Sequence, residues 1–176
     1  MSGRAPRYDL PQAAPPPLRL VQQFVNTVNL ESGDDWLARW LAEHGVTEAE
    51  PAELARARVA REALRQLLYA NNGFDADGDP LGTLTEAAAP AAFTIDFRNG
   101  RIVATAGGVD GVVGDALASA FAAMTAGTWQ RLKACRNHRC RWAFYDYSKN
   151  RSASWCSMQL CGNRTKTRAY RSRQRA

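Results

Sequence analysis

Several things are scarce in this chain of 176 residues. Long uninterrupted apolar runs are missing: the richest stretch, Val109 to Gly127, is broken by Asp110 and Asp115 and filled with Ala and Gly, which argues against a membrane-spanning helix. An apolar N-terminal segment is missing too. The first 17 residues hold Pro6, Pro11, Pro15, Pro16 and Pro17 with charges between them, so secretion is not expected and a reducing cytoplasm is. Imidazole is confined to His44 and His138, and no serine elbow, Walker, zinc-protease or deaminase signature occurs. The chain is therefore not expected to be an enzyme, and no catalytic residue is assigned. Acidic side chains nearly vanish from residues 131–176, where Asp146 is the only one.

What is present is unevenly distributed. The net charge of +6 averages two unlike parts, because residues 131–176 carry 13 Lys and Arg for a net +12 while residues 1–130 sum to −6. A basic tail on an acidic body is the composition of a polyanion-binding module attached to a separate domain. With 45% hydrophobic residues the chain can build a core, and its length suits one ordinary domain plus a small appendage, or two small domains.

Periodicity divides it further. Residues 1–17 read as a Pro-rich disordered leader. Residues 18–126 read as a mostly helical domain. Leu18, Val21, Val25 and Val28 recur at helical spacing; a second helix fits Asp35 to His44, its Trp36, Leu37, Trp40 and Leu41 facing the core; Pro51 opens a third that runs to about Tyr69. On that third helix Arg56, Arg58, Arg61 and Arg65 alternate with Glu53 and Glu62, the pattern of a solvated face. Asp75, Asp77, Asp79 and Glu86 match a calcium loop in spacing, but Pro80 occupies the place that needs a flexible glycine, so an acidic loop is expected there. Arg98-Asn99-Gly100 between two runs of β-formers predicts a hairpin at about 92–106, and a further helix is expected from about Val112 to Ala126.

All four cysteines lie in the basic tail, as C-x4-C-x15-C-x4-C through Cys135, Cys140, Cys156 and Cys161. Four soft thiolates make the tetrahedral set that structural Zn2+ prefers, and a full shell leaves no place for an activated water. The loose x4 spacing also admits His138 as a substitute ligand; disulfides, a redox switch and an iron–sulfur cluster are the other readings of the four thiols. The segment has few aliphatic residues, so metal binding is expected to fold it. Between the cysteine pairs, Trp142, Phe144, Tyr145 and Tyr147 look strand-like, with a turn at Ser148-Lys149-Asn150 and a return strand from Arg151 to Trp155. A helix is expected from Gly162, with Arg164, Arg168, Arg171 and Arg175 in one stripe and Lys166 and Arg173 on its other side. Such a row can bind phosphates or read guanine edges, whereas Trp142 and Tyr145 could stack single-stranded bases.

Trp155-Cys156-Ser157-Met158 and Cys161-Gly162-Asn163-Arg164, with Arg131-Leu132-Lys133-Ala134-Cys135, Trp142-Ala143-Phe144-Tyr145-Asp146 and Ser148-Lys149-Asn150-Arg151, resemble the CGNR zinc finger, over about residues 128–176. Phe24-Val25-Asn26-Thr27, Trp36-Leu37 and Trp40-Leu41 resemble the start of the ABATE domain that usually precedes it. The resemblance implies a bacterial, stress-linked transcription regulator with an N-terminal sensor or dimerisation domain and a zinc-bound DNA-binding finger. It makes Cys135, Cys140, Cys156 and Cys161 the zinc ligands. The family often has two arginines before the Trp-Cys, where this chain has Ala153 and Ser154, so a lower affinity for phosphate is expected here. The expected fold is mostly α with a central β-hairpin, followed by a small treble-clef-like zinc finger. The expected partner is duplex DNA, the alternative being RNA or protein bound by the finger as an adaptor; an unknown small ligand in the N-terminal domain and a homodimer are both compatible with the sequence.

Overall fold

The protein was analysed as a computed structural model, which describes residues 7–164 and Thr167. Its core is built by helices α1 (Leu18–Val25), α2 (Leu37–Glu43), α3 (Pro51–Ala70), α4 (Pro80–Ala88) and α5 (Gly108–Thr125). An antiparallel hairpin of β1 (Phe93–Asp96) and β2 (Arg101–Ala104) lies between α4 and α5. A second antiparallel pair, β3 (Leu132–Ala134) and β4 (Ala143–Tyr145), belongs to the tail.

Local chemistry accounts for the element ends. Asp35 Oδ1 accepts from the Leu37 amide at 3.0 Å and starts α2. Pro51 opens α3 behind a reciprocal cap between Glu50 and Glu53. Asp79 Oδ1 accepts from the Gly82 amide at 2.9 Å and Pro80 takes the first helical place, so the segment read as an acidic loop ends as the cap of α4, a helix the periodicity did not announce. Gly100 turns the hairpin at φ +61°. Gly114 permits a close approach: a Cβ there would stand 2.4 Å from Ala91 Cβ and 2.8 Å from Ala104 Cβ, so α5 could not lie against the hairpin. That helix starts at Gly108, four residues ahead of the expected Val112.

Two expectations fail in instructive ways. Residues 7–17, expected to be disordered, form a strap on the surface of the core, with Tyr8 and Ala14 buried. The buried Gln22 side chain explains it. Its Oε1 accepts from the Ala14 amide at 2.7 Å, and its Nε2 donates to the carbonyls of Gln12 and Ala143 at 2.9 and 3.1 Å. Proline richness leaves few amides to satisfy, so a handful of side chains can hold the strap. The second failure concerns the α3 face. Arg56 and Arg58 are solvated, but Arg61 and Arg65 are 4% and 2% exposed. Arg61 bonds Thr27 Oγ1 and both Asp35 oxygens at 3.0 to 3.2 Å, and Arg65 bonds Glu62 at 2.8 Å. Burial alone would raise the pKa of Glu62, yet Arg65 and Arg61 outweigh it and hold the carboxyl below its ordinary value.

The tail is fused to the helical body. Leu132, Ala134, Ala143 and Tyr145 sit in the same apolar cluster as Leu18, Phe24, Trp40 and Leu68. Asn26 binds Ala143 in both directions, donating to its carbonyl at 2.9 Å and accepting from its amide at 2.7 Å. Asn71 donates to the Trp129 and Leu132 carbonyls, and Asn72 to those of Ala134 and Ser154, all within 3.0 Å. The strap adds Tyr145 N to Gln12 O at 3.0 Å and Trp142 Nε1 to Leu10 O at 2.9 Å.

Candidate metal centre

The β3–β4 pair presents the first two cysteines. Cys135 follows β3 directly, and its amide donates to the Trp142 carbonyl at 2.9 Å, closing a loop that contains Cys140. Inside it Asn137 makes the turn: its carbonyl accepts from Cys140 N and Arg141 N at 2.8 and 3.0 Å, and its Oδ1 from Arg139 N at 3.2 Å. The chain leaves through Arg141 at φ +44°, a left-handed conformation unusual for a side-chain-bearing residue. Two contacts hold it there: Arg65 Nη1 donates to the Arg141 carbonyl at 3.0 Å, and the Arg141 guanidinium stacks 4.3 Å over the Tyr69 ring. Both partners come from α3, so the body fixes the shape of the first loop.

The second pair is held by a single wide turn, Met158–Gly162. Ser157 caps it, its Oγ accepting from Leu160 N at 3.3 Å and its carbonyl from Cys161 N at 2.9 Å. Cys156 and Cys161 thereby lie on either side of the cap. A loop carries the chain from β4 to this turn, anchored by a buried ion pair. Lys133 Nζ donates to Asp146 Oδ2 at 2.7 Å, and Asp146 also accepts from Ser148 N and Ala153 N at 2.9 and 3.0 Å. Burial would raise the Asp146 pKa; the Lys133 and Ser148 hydrogen bonds overcome it and keep the carboxyl below its usual value. Residues 151–155, expected as a return strand, run as irregular chain instead. The partner of β4 is β3, on the far side of the first cysteine pair, while Lys133 and Asp146 take up the Arg151 carbonyl and both backbone groups of Ala153 in side-chain bonds.

The four Sγ atoms lie within 4.8 Å of one another, with Cys140–Cys156 and Cys156–Cys161 both at 3.7 Å. A disulfide needs about 2.05 Å. Zn–S bonds of about 2.3 Å at tetrahedral angles place sulfurs roughly 3.8 Å apart, so the residues fit a zinc ion. None of the four cysteines is in a disulfide. Hydrogen bonds from Cys140 and Cys156 hold Cys135 at about 2, and the same Cys135 contacts push Cys140 and Cys156 up. Four thiolates at this spacing repel one another, and a divalent cation is what allows them all to be ionised. Around them Phe144, Trp142, Ala153 and Trp155 form a small apolar shell, and Asn137 Nδ2 donates to Cys161 Sγ at 3.8 Å. His138 is exposed and stands outside this cluster.

Of the basic residues expected to meet nucleic acid, Arg164 lies just past the turn, in helical conformation and 56% exposed. Its Nη1 is held by both Glu31 oxygens at 3.0 and 3.1 Å. Lys166, Arg168, Arg171, Arg173 and Arg175 lie outside the described residues. Sequence reading missed the residues that position the centre: Gln22, Asn26, Arg65, Asn71, Asn72 and the Lys133–Asp146 pair. The lone acidic residue of a basic tail, Asp146, was the available signal, since an isolated carboxylate there has a structural duty to explain.

Two family models match. One, the CGNR zinc finger, covers residues 131–174. The other, ABATE, carries the description "Putative stress-induced transcription regulator" and covers residues 18–130. These are regulator and zinc-finger types rather than enzyme families. No curated protein matches the chain.

Proposed function

Because this chain belongs to the ABATE family and ends in a CGNR zinc finger, we propose that it is a transcription regulator whose finger binds duplex DNA. In this reading Cys135, Cys140, Cys156 and Cys161 hold one structural Zn2+, which folds the finger and takes no part in chemistry. Arg164, Lys166, Arg168, Arg171, Arg173 and Arg175 meet the phosphates. The observation that carries the reading is the net +12 of residues 131–176, the same segment that holds the four cysteines. Balancing a Zn2+ bound by four thiolates takes about two positive charges, so most of that excess is left for a polyanion. The −6 body repels the same polyanion and leaves the finger as the docking surface.

The adaptor alternative relied on Trp142 and Tyr145 as stacking platforms. Tyr145 is buried, and Trp142 is half-buried in the apolar shell around the cysteines, its orientation fixed by the Nε1 bond to the Leu10 carbonyl. Duplex DNA is therefore favoured over single strands. Competition on the zinc-loaded protein tests this: a duplex should displace labelled duplex at least tenfold better than single-stranded RNA of equal length, and the reverse order would overturn it. Arg168→Ala should weaken all duplex sequences alike if Arg168 contacts phosphate, and relax one base position if it reads a base.

A further inference from the structure

Helix α4, the β1–β2 hairpin and α5 line a half-open cleft of about 400 Å³, the size of small-molecule sites. It reaches down to Leu64 of α3, which is fully buried. Leu84 lines it from α4, Phe93 and Ile102 from the two strands, and Leu117 and Phe121 from α5. The register places Phe93 and Ile102 on the same hairpin face, so both strands present apolar groups to one hollow. Among the described residues no charged side chain lines it. Its one polar side chain, Thr85, already donates its hydroxyl to the Leu81 carbonyl at 2.9 Å. At the mouth Leu81, Phe121, Phe93 and Ile102 are 60%, 55%, 39% and 38% exposed, a grouping of large apolar side chains at one opening that calls for an occupant.

We propose that this cleft binds an uncharged, apolar small molecule. Shape decides between the candidate occupants. A protein face would cover the mouth and leave the hollow beneath it unfilled, forfeiting the contacts that its lining could make. A nucleic acid or an ionised metabolite would find no counter-charge and no free hydrogen-bond donor. A hydrocarbon-rich ligand fills the volume and removes the exposed apolar rim from water at once. The site goes beyond the DNA-binding reading and stands whether or not the finger binds DNA. Its position is suited to reporting on the finger: Leu64 precedes Arg65, the residue that holds the Arg141 carbonyl of the first cysteine loop.

The zinc-loaded full chain, titrated with the uncharged dye Nile red in the absence of DNA, tests the proposal. The expected result is saturable binding of one dye per chain with blue-shifted emission, displaced by 1-decanol. Ala88→Trp, which fills the hollow, and Phe121→Gln, which makes its mouth polar, should each weaken binding at least tenfold while the thermal melt stays in place. If Ala88→Trp does not fold, Leu81→Gln at the exposed mouth replaces it, with the same loss expected. Three results would overturn the proposal: no saturable binding, binding equally tight in the variants, or light scattering that finds a dimer which Phe121→Gln converts to monomer, making a second copy the occupant.

Discussion

Asn26 joins the body to the finger through one side chain. Its amide serves both the carbonyl and the amide of Ala143 and also donates to the Tyr8 carbonyl at 2.7 Å, all of them buried. Asn26→Ala strands the Ala143 amide and the Tyr8 carbonyl, while the Ala143 carbonyl keeps only its bond from Gln22. At about 1 to 3 kcal/mol for each unsatisfied buried group, the loss should reach about 3 kcal/mol in urea unfolding. Replacing the exposed Asn99 by Ala should cost far less and serves as the control. Asp35 gives a prediction in pH. Burial would raise its pKa, but the bonds from Arg61, the Leu37 amide and Arg58 bring it down to about 2. A carboxyl depressed on folding contributes stability that is complete above its unfolded value near 4 and disappears as pH falls through about 2. Because Asp35 is exposed to solvent, screening reduces the contribution to about 1 kcal/mol or less, and Asp35→Asn should flatten the stability profile between pH 4 and 2. At the metal centre, Cys156→Ser removes a ligand at the heart of the cluster, and elemental analysis of the purified variant should find well under one zinc per chain.

At the scale of elements, the sequence was most legible where a segment follows its own period. The spacing of Leu18, Val21 and Val25 announces α1, Pro51 the start of α3, and Asn99-Gly100 the hairpin; each appears within a few residues of its expected place. The α4 helix was lost because its Asp79-Pro80 start reads equally as the end of an acidic loop, and its short body holds only Leu81 and Leu84 as large apolar residues. Just past the Met158–Gly162 turn lies a contact that no periodicity encodes, Arg164 clasped by Glu31 from the loop after α1. An exposed pair of this kind contributes about 0.2 to 1 kcal/mol. If Arg164 meets phosphate, it must leave Glu31 first. Glu31→Gln should then tighten duplex binding by up to about fivefold at low salt, with little change in the thermal melt.

Over the whole molecule, the sequence suggested a domain and an appendage, while the structure joins them through a shared core. The four cysteines were legible because metal chemistry demands that residue type at close spacing. The joint was not, because it is made by Asn and Gln side chains bonding to backbone, and such bonds leave no pattern in composition. The Pro-rich strap was misread for the same reason: Gln22, a residue with no distinctive neighbours, holds it. A consequence follows for stability. Since Leu132, Ala134, Ala143 and Tyr145 belong to the main core, removing zinc should loosen the body as well as the finger. Chelation should lower the melting temperature followed by helical circular dichroism, and tryptophan fluorescence should melt at the same temperature; an unchanged helical melt would mean that the two parts fold independently.

The account turns on a basic finger, folded by zinc, that grips duplex DNA through its phosphates. The most direct measurement is duplex binding by fluorescence anisotropy over a series of salt concentrations, with the protein zinc-loaded and zinc-stripped. The loaded protein should bind, with log K falling linearly against log salt at a slope of about −4 or steeper, as expected for four or more phosphate contacts, and stripping should abolish binding. Absence of binding at low salt by the loaded protein, or equal binding with and without zinc, would contradict it.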